Sequence, residues 1–434
     1  MPITKSEGVT RTERLLAELC ERSFLKLWSY PNPCKDDGKE LCDLLAVFEN
    51  HVFIFFDREK ELVDTPEKTP QVLWSRWKRE VIDAQIKTAH GAERYIRSGR
   101  PAFLDSKCEI PFPINIDSKQ MIVHKIIVAH GAKEACEKSC DANVYGSLAI
   151  CYGKKDSEST FPFMIRIDKH NPIHVFDSHN LPIILNELDT VVDFSTYLGA
   201  KLQAIAALDS LMYCGEEDLL AHYYLNFDDS AKRHFIGTKD ASINCVMVGE
   251  GEWKDFVELD LYKNTKRANE VSYLWDELLQ ATCQNSLSGK LLGNFDLSHG
   301  QSAIHEMAKE PRFSRRALSE WMLQAIRNFP ESTHGLTRHV SFMPSFFPGK
   351  GYVFLQLRVS AAMRSEADYR IKRQAILELA CGAAKSRFPD LKTIVGIAID
   401  APKFVDKNSE DFILMDCENW TEEDRTYYEE GNKE

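Results

Sequence analysis

The chain has no apolar run near the roughly 18 to 20 uncharged residues that a membrane span requires. Its start, MPITKSEGVTRTER, also lacks the hydrophobic stretch of a secretory signal. Both absences point to a cytoplasmic protein with no membrane partner. Among its 12 cysteines there is no CxxC pair, which argues against a ribbon-type zinc site. The closest grouping, Cys108, Cys136, Cys140 and Cys151, reads as reduced thiols used as small hydrophobes rather than as a disulfide framework. GxxxxGK[ST], GxSxG, HExxH and the dinucleotide-binding glycine fingerprint are missing too. P-loop nucleotide hydrolysis, serine hydrolysis and zinc proteolysis therefore lose their sequence support. Nor is there a positive balance: 54 Lys and Arg face 66 Asp and Glu, for a net charge of −12. Bulk attraction to nucleic acid is excluded, and any such contact must be local.

What is present is the balance of a globular protein, with 44% hydrophobic, 10% aromatic and 28% charged residues. The 434 residues suffice for two or three domains. No repeat or low-complexity tract interrupts them. The expected regions are 1–155, 156–290 and 291–434, the first boundary lying in the polar stretch 153–160.

The first region is the most legible. A helix over 12–26 carries Leu15, Leu16, Leu19 and Cys20 on one side, with Thr12 as its N-cap. YPNPCKDDG reads as turn chemistry. Residues 40–48 and 52–57 then read as a hairpin, and the VFIFF of its second strand, apolar on both faces, predicts an interior position. A long helix opens at Thr69 or Pro70 and runs to about Ile96, and further strands are expected over 121–129 and 146–152. Beyond residue 160, strands over 161–167 and 174–176 precede helices over 193–211 and 216–225. In the last region, strand 351–358, helix 366–386 and strand 393–399 predict a βαβ unit, and the acidic tail after Trp420 reads as frayed. The chain as a whole is expected to be α/β.

The chemistry-bearing pattern lies on the hairpin. Asp43 is on the first strand, and Asp57 and Glu59 leave the second. Period-two alternation puts Asp57 and Glu59 on one face, and strand pairing brings Asp43 near them. Carboxylates gathered at a strand end repel one another unless a divalent cation neutralises them. All-oxygen ligands favour Mg²⁺, with Mn²⁺ as the alternative.

On these residues the N-terminal third resembles the PD-(D/E)xK, or restriction-endonuclease-like, nuclease superfamily, and loosely its NERD branch. The resemblance rests on an early helix bearing an acid, on GKELCDLLAVFENHVFIFFDREK as paired strands, and on the next helix with Gln85. It implies a restriction-endonuclease-like α/β sandwich followed by mixed α/β regions that include the C-terminal βαβ unit. It also implies Asp43, Asp57, Glu59, Lys60 and Gln85 as catalytic residues, with Glu13, Asp43 and Asp57 on the metal. Glu13 is favoured over Glu18 because it falls at the edge of the apolar face of the first helix. The chain departs from the pattern at the acid-x-lysine, whose places fall on Phe56 and Arg58. Either a bulge brings in Lys60, or Glu59 takes the lysine's place, or the site is degraded.

Around the long helix eight basic residues outnumber four acids, a local balance of +4, and Arg76, Lys78, Arg79 and Lys87 are the expected phosphate contacts. A second candidate, DKHNPIHVFDSHN, crowds Asp168, His170, His174, Asp177 and His179 in a spacing that matches no metal-ligand pattern. The third region offers Arg312, Arg315, Arg316, Arg327 and Arg338 and, at a strand end, Asp400. The resulting expectation is a Mg²⁺- or Mn²⁺-dependent nuclease, or a nuclease-derived effector, acting on DNA ahead of RNA, by resemblance in bacterial antiphage defence. The alternative is a catalytically inactive scaffold or sensor that binds a protein partner or a second copy of itself.

Overall fold

The computed structural model describes residues 5–62, 68–139, 145–154, 161–240, 242–287, 297–331, 336–405 and 409–432. Cys140 and residues 155–160, in the stretch where the first boundary is expected, lie outside the described residues. The chain is α/β, in two compact units that meet in sequence between Asn264 and Thr265. No described helix is long and apolar enough to cross a membrane, and no disulfide joins the described cysteines.

In the first unit VFIFF forms the middle of the strand His51–Glu59 and is buried on both faces. That strand pairs antiparallel with Leu44–Phe48 on one side and parallel with Ile122–His130 on the other. The full order of this five-stranded sheet is Ser29–Pro31, Leu44–Phe48, His51–Glu59, Ile122–His130 and His174–Asp177. The outermost strand, Ser29–Pro31, overlaps the start of the segment that reads as a turn. Its proline sits on an edge strand, where a missing N–H breaks no ladder. The last strand comes from beyond residue 155 and runs parallel to Ile122–His130.

Helix Arg11–Phe24 covers one face, and its N-cap is Thr10 rather than Thr12, with Thr10 Oγ1 accepting the Glu13 N–H at 3.1 Å. Phe24 packs against Phe53 at 4.8 Å and against Phe194 at 5.4 Å between ring centroids, which joins the helix, the central strand and helix Val191–Ala207 in one core. The long helix is present but broken by a π-helical segment, with Pro70–Trp77 and Ala84–Arg97 on either side of Lys78–Asp83. The helix expected to reach residue 211 stops at Ala207, and Ser210–Cys214 is a strand. That strand belongs to a second sheet, ordered Cys245–Val248, Ser210–Cys214, Ala149–Gly153 and Met164–Asp168.

The second unit contains the βαβ unit. Strands Lys350–Arg358 and Thr393–Asp400 are parallel, and helix Tyr369–Arg387 connects them. Thr337–Pro344 and Glu410–Asp416 flank the pair antiparallel. Leu355, Leu377, Cys381, Ile394 and Ala398 form the core between helix and sheet. The acidic tail is ordered, forming helix Glu422–Gly431 with a Thr421–Asp424 capping box and Tyr428 packed over Gly382.

Candidate functional site

Three neighbouring parallel strands end together in the first unit. The register sets Asp57 opposite Val128, Glu59 opposite His130, and Ala129 opposite Asp177. Polar residues from all three strands therefore gather at one carboxyl edge, where α/β sheets commonly bind ligands. His130 Nε2 lies 2.6 Å from Asp57 Oδ1, and the Asp57 side chain is fully enclosed. The approach is off the ring N–H axis, so neither Asp57 oxygen completes an aligned hydrogen bond. The other imidazole nitrogen, Nδ1, is 2.8 Å from the hydroxyl of exposed Ser178.

Ser178 stands on the turn between strand His174–Asp177 and helix Asn180–Glu187, and Asp177 builds that turn. Asp177 Oδ1 accepts the N–H groups of His179 and Asn180 at 2.8 and 2.9 Å, while its own N–H donates to Asn180 Oδ1 at 2.9 Å. Burial raises the Asp177 carboxyl above the usual carboxylate range, against these N–H donors. Burial and the charge of Asp177 push Glu217 up to about 8. Glu217 accepts from Ser147 at 3.1 Å and folds back over Gly215, where a Cβ would sit 2.5 Å from its Oε1 and φ is +90°. Only glycine tolerates that conformation at such close approach.

The carboxylates of the expected metal centre do not converge. Asp43 precedes its strand, and its Oδ2 accepts the Asp57 N–H at 2.5 Å, so it meets the main chain of Asp57 while the Asp57 carboxylate turns to His130. Glu13 acts near Asp43 electrostatically, but its Oε2 accepts the Val9 N–H at 2.8 Å and the Asn32 amide at 3.2 Å, closing the start of the first helix. Glu59 is exposed, and the Lys60 ammonium pairs with Glu80. The Gln85 amide donates to the carbonyls of Val81 and Val128 at 2.8 and 3.2 Å, bracing helix against strand. Among the described residues no three His, Cys, Asp or Glu groups come together as metal ligands.

Burial, with the charges of Glu40, Glu13 and Asp57, pushes the Asp43 carboxyl up to about 7. An acid raised on folding from about 3.9 carries no penalty below the unfolded value and its full penalty above the folded one, so it costs stability increasingly from pH 4 to pH 7. Asp43→Asn, whose amide oxygen can still accept the Asp57 N–H, is expected to exceed the wild type in stability at pH 8 by on the order of a few kcal/mol. The gap should close near pH 4. Urea unfolding at the two pH values checks this, and a variant less stable at both would contradict it.

The basic residues separate into two groups. Arg76 and Arg79 lie 3.1 and 3.7 Å from Glu80, and Lys78 lies 2.9 Å from Asp83, so each of the three faces a helix acid. Lys87 instead lines a groove of about 890 Å³ with Lys35, Arg94 and Arg100, Leu41 forming part of the wall and Asp37 the lining acid. Lys87, Gly91, Arg94 and Ser98 recur at helical spacing on helix Ala84–Arg97 and its C-cap, and Gly91 leaves that face open. Arg100 is held by Asp36, whereas Lys87 and Arg94 have no ion-pair partner among the described residues. The spacing of Lys87 and Arg94 is a sequence signal for this groove.

Five of the other candidates serve the fold. His174 is buried with its ring 6.0 Å from that of His124, and burial holds it neutral. Asp168 caps its own turn by accepting the His170 N–H at 3.0 Å. Arg312 and Arg315 pair with Asp276 at 2.6 and 2.5 Å. Asp400 sits 3.3 Å from buried Arg373, which also binds Asp411 at 2.6 Å, so this strand end is filled by the protein itself. Compared with known proteins, the chain matches no family model, no curated protein and no solved structure.

Proposed function

We propose that the first unit is a nuclease-derived module that binds a nucleic-acid backbone, DNA ahead of RNA, in the Lys35–Lys87–Arg94–Arg100 groove and presents Asp43 beside it. The observation that carries this reading is the groove itself, a concentration of cations in a chain of net charge −12. Seven residues of helix separate Lys87 from Arg94, about 10 Å at 1.5 Å per residue. That span matches about three base-pair steps of 3.4 Å along one strand. Leu41 of the groove wall is two residues from Asp43, whose carboxyl titrates near neutral pH, where a proton donor or acceptor is most useful. The element order supports the nuclease-derived part: a helix, three antiparallel strands, a helix and a strand parallel to the third. DNA is placed ahead of RNA by analogy with restriction-like nucleases.

Fluorescence anisotropy with labelled single- and double-stranded DNA and RNA tests the binding. The expected dissociation constant is in the micromolar range, about 1 to 100 μM for backbone contact at physiological salt and tighter at lower salt. No saturable binding to any of the four polymers at 50 mM salt (~30% of physiological) would end the reading. The same samples with Mg²⁺ or Mn²⁺ settle its class. Cleavage that Asp43→Asn abolishes makes the module an enzyme, and binding without cleavage makes it a nuclease-derived scaffold.

A further inference from the structure

We infer that Ser178, His130 and Asp57 form a nucleophile relay, and that Ser178 accepts acyl groups from carboxylic esters. The inference is independent of the groove, because none of these three residues lines it. It rests on the hydroxyl, imidazole and carboxylate lying in series at the ends of three adjacent strands. Ser178 Oγ is 2.8 Å from His130 Nδ1, and His130 Nε2 is 2.6 Å from Asp57 Oδ1.

The three groups differ in exposure in the order that nucleophilic catalysis requires. Asp57 is enclosed, the His130 side chain is 7% exposed, and Ser178 faces solvent. An enclosed carboxylate beside Nε2 favours the tautomer with its proton on that nitrogen, which leaves the Nδ1 lone pair toward the serine hydroxyl. The off-axis approach of Asp57 is ordinary before substrate binds, since catalytic hydrogen bonds commonly tighten only in the complex. Position also matters, and here the turn is locked. The three hydrogen bonds between Asp177 and its neighbours fix the strand-to-helix turn that projects Ser178. The absence of GxSxG from the sequence hid this arrangement, because the turn is closed by an aspartate and an asparagine instead of glycines.

In the reaction the Ser178 oxygen forms a bond to the ester carbonyl carbon while its proton passes to His130 Nδ1. The carbon–oxygen bond to the alcohol breaks, and the same proton goes to the departing alkoxide. Water, deprotonated by the same nitrogen, then cleaves the acyl-serine to a carboxylic acid and free Ser178. Ser178 and His130 are the catalytic residues, and Asp57 is a positioning residue that acts through His130.

A fluorophosphonate probe, which phosphonylates activated serines, tests this on the full chain, with peptide mass spectrometry to locate the adduct. The expected result is an adduct at Ser178 that Ser178→Ala removes, together with a burst of p-nitrophenol from p-nitrophenyl butyrate. His130→Gln should slow labelling about 100-fold or more, the share of a general base. Asp57→Asn should slow it about tenfold or more, since the imidazolium formed in the step loses its carboxylate, and Asp57→Glu, which keeps a carboxylate, should slow it less. Melting curves establish that the variants are folded, and because Ser178 is exposed its alanine variant should match the wild type. No adduct at Ser178 would overturn the inference. An adduct whose rate is unchanged in a folded His130→Gln or Asp57→Asn variant would overturn it as well.

Discussion

Replacing Lys201 by alanine is expected to cost the first unit about 3 to 5 kcal/mol, the range for removing one partner of a buried ion pair. Lys201 and Glu216 are both fully buried, and Lys201 Nζ reaches the two Glu216 oxygens at 2.7 and 2.6 Å. The hydroxyls of Tyr197 and Tyr213 donate to the same carboxylate at 2.7 Å each. Burial draws the Lys201 amine down and Glu216 opposes that effect, so the pair survives only as a unit. Without the ammonium, Glu216 keeps two neutral donors against a charge excluded from water. Lys201→Met, which fills the space without the charge, should lose a comparable amount, because the same carboxylate is left buried without its cation. Urea denaturation reads the effect, and a loss below about 1 kcal/mol, typical of an exposed pair, would contradict it.

The second large effect belongs to the groove. Reversing the two groove cations that lack an ion-pair partner among the described residues, in Lys87→Glu with Arg94→Glu, removes two phosphate contacts and installs two repulsions in their place. Affinity for DNA at low salt is expected to fall about 100-fold, roughly tenfold or 1.4 kcal/mol per site. Arg76→Glu with Arg79→Glu changes net charge by the same amount at residues already facing Glu80. That control should lose only a few-fold. Equal losses in the two double variants would mean that binding follows total charge and not this groove.

The hairpin can be read from the sequence because five consecutive large apolar residues between turn signals leave few other structures for 44–59. The carboxyl-edge site cannot. Asp57, His130 and Ser178 are far apart in sequence, and only the two parallel crossovers bring their strands side by side. Asp177 and His179 stand out as a polar crowd, but nothing local says that the serine between them faces a histidine on the neighbouring strand. The acids Glu216, Glu217 and Asp218 look like an ordinary charged first turn, yet all three are buried. Glu216 pairs with Lys201, Glu217 lies over Gly215, and Asp218 caps helix Glu252–Glu258 by accepting the Gly251 and Trp253 N–H groups. Tertiary partners decide such assignments, and sequence spacing does not reveal them. For the basic residues, by contrast, spacing is informative. Arg76 and Glu80 lie at i and i+4, a spacing that pairs charges on a helix face. Lys87 and Arg94, seven residues apart, share a face with small residues between them.

The salt dependence of DNA binding tests the groove most directly. Each phosphate neutralised contributes about −0.9 to the slope of log affinity against log salt on duplex DNA. Between 50 and 300 mM salt (about a sixfold range), the Lys87→Glu with Arg94→Glu variant is predicted to give a slope shallower than the wild type by about 2. A slope unchanged by that double reversal would mean that no DNA backbone lies in this groove.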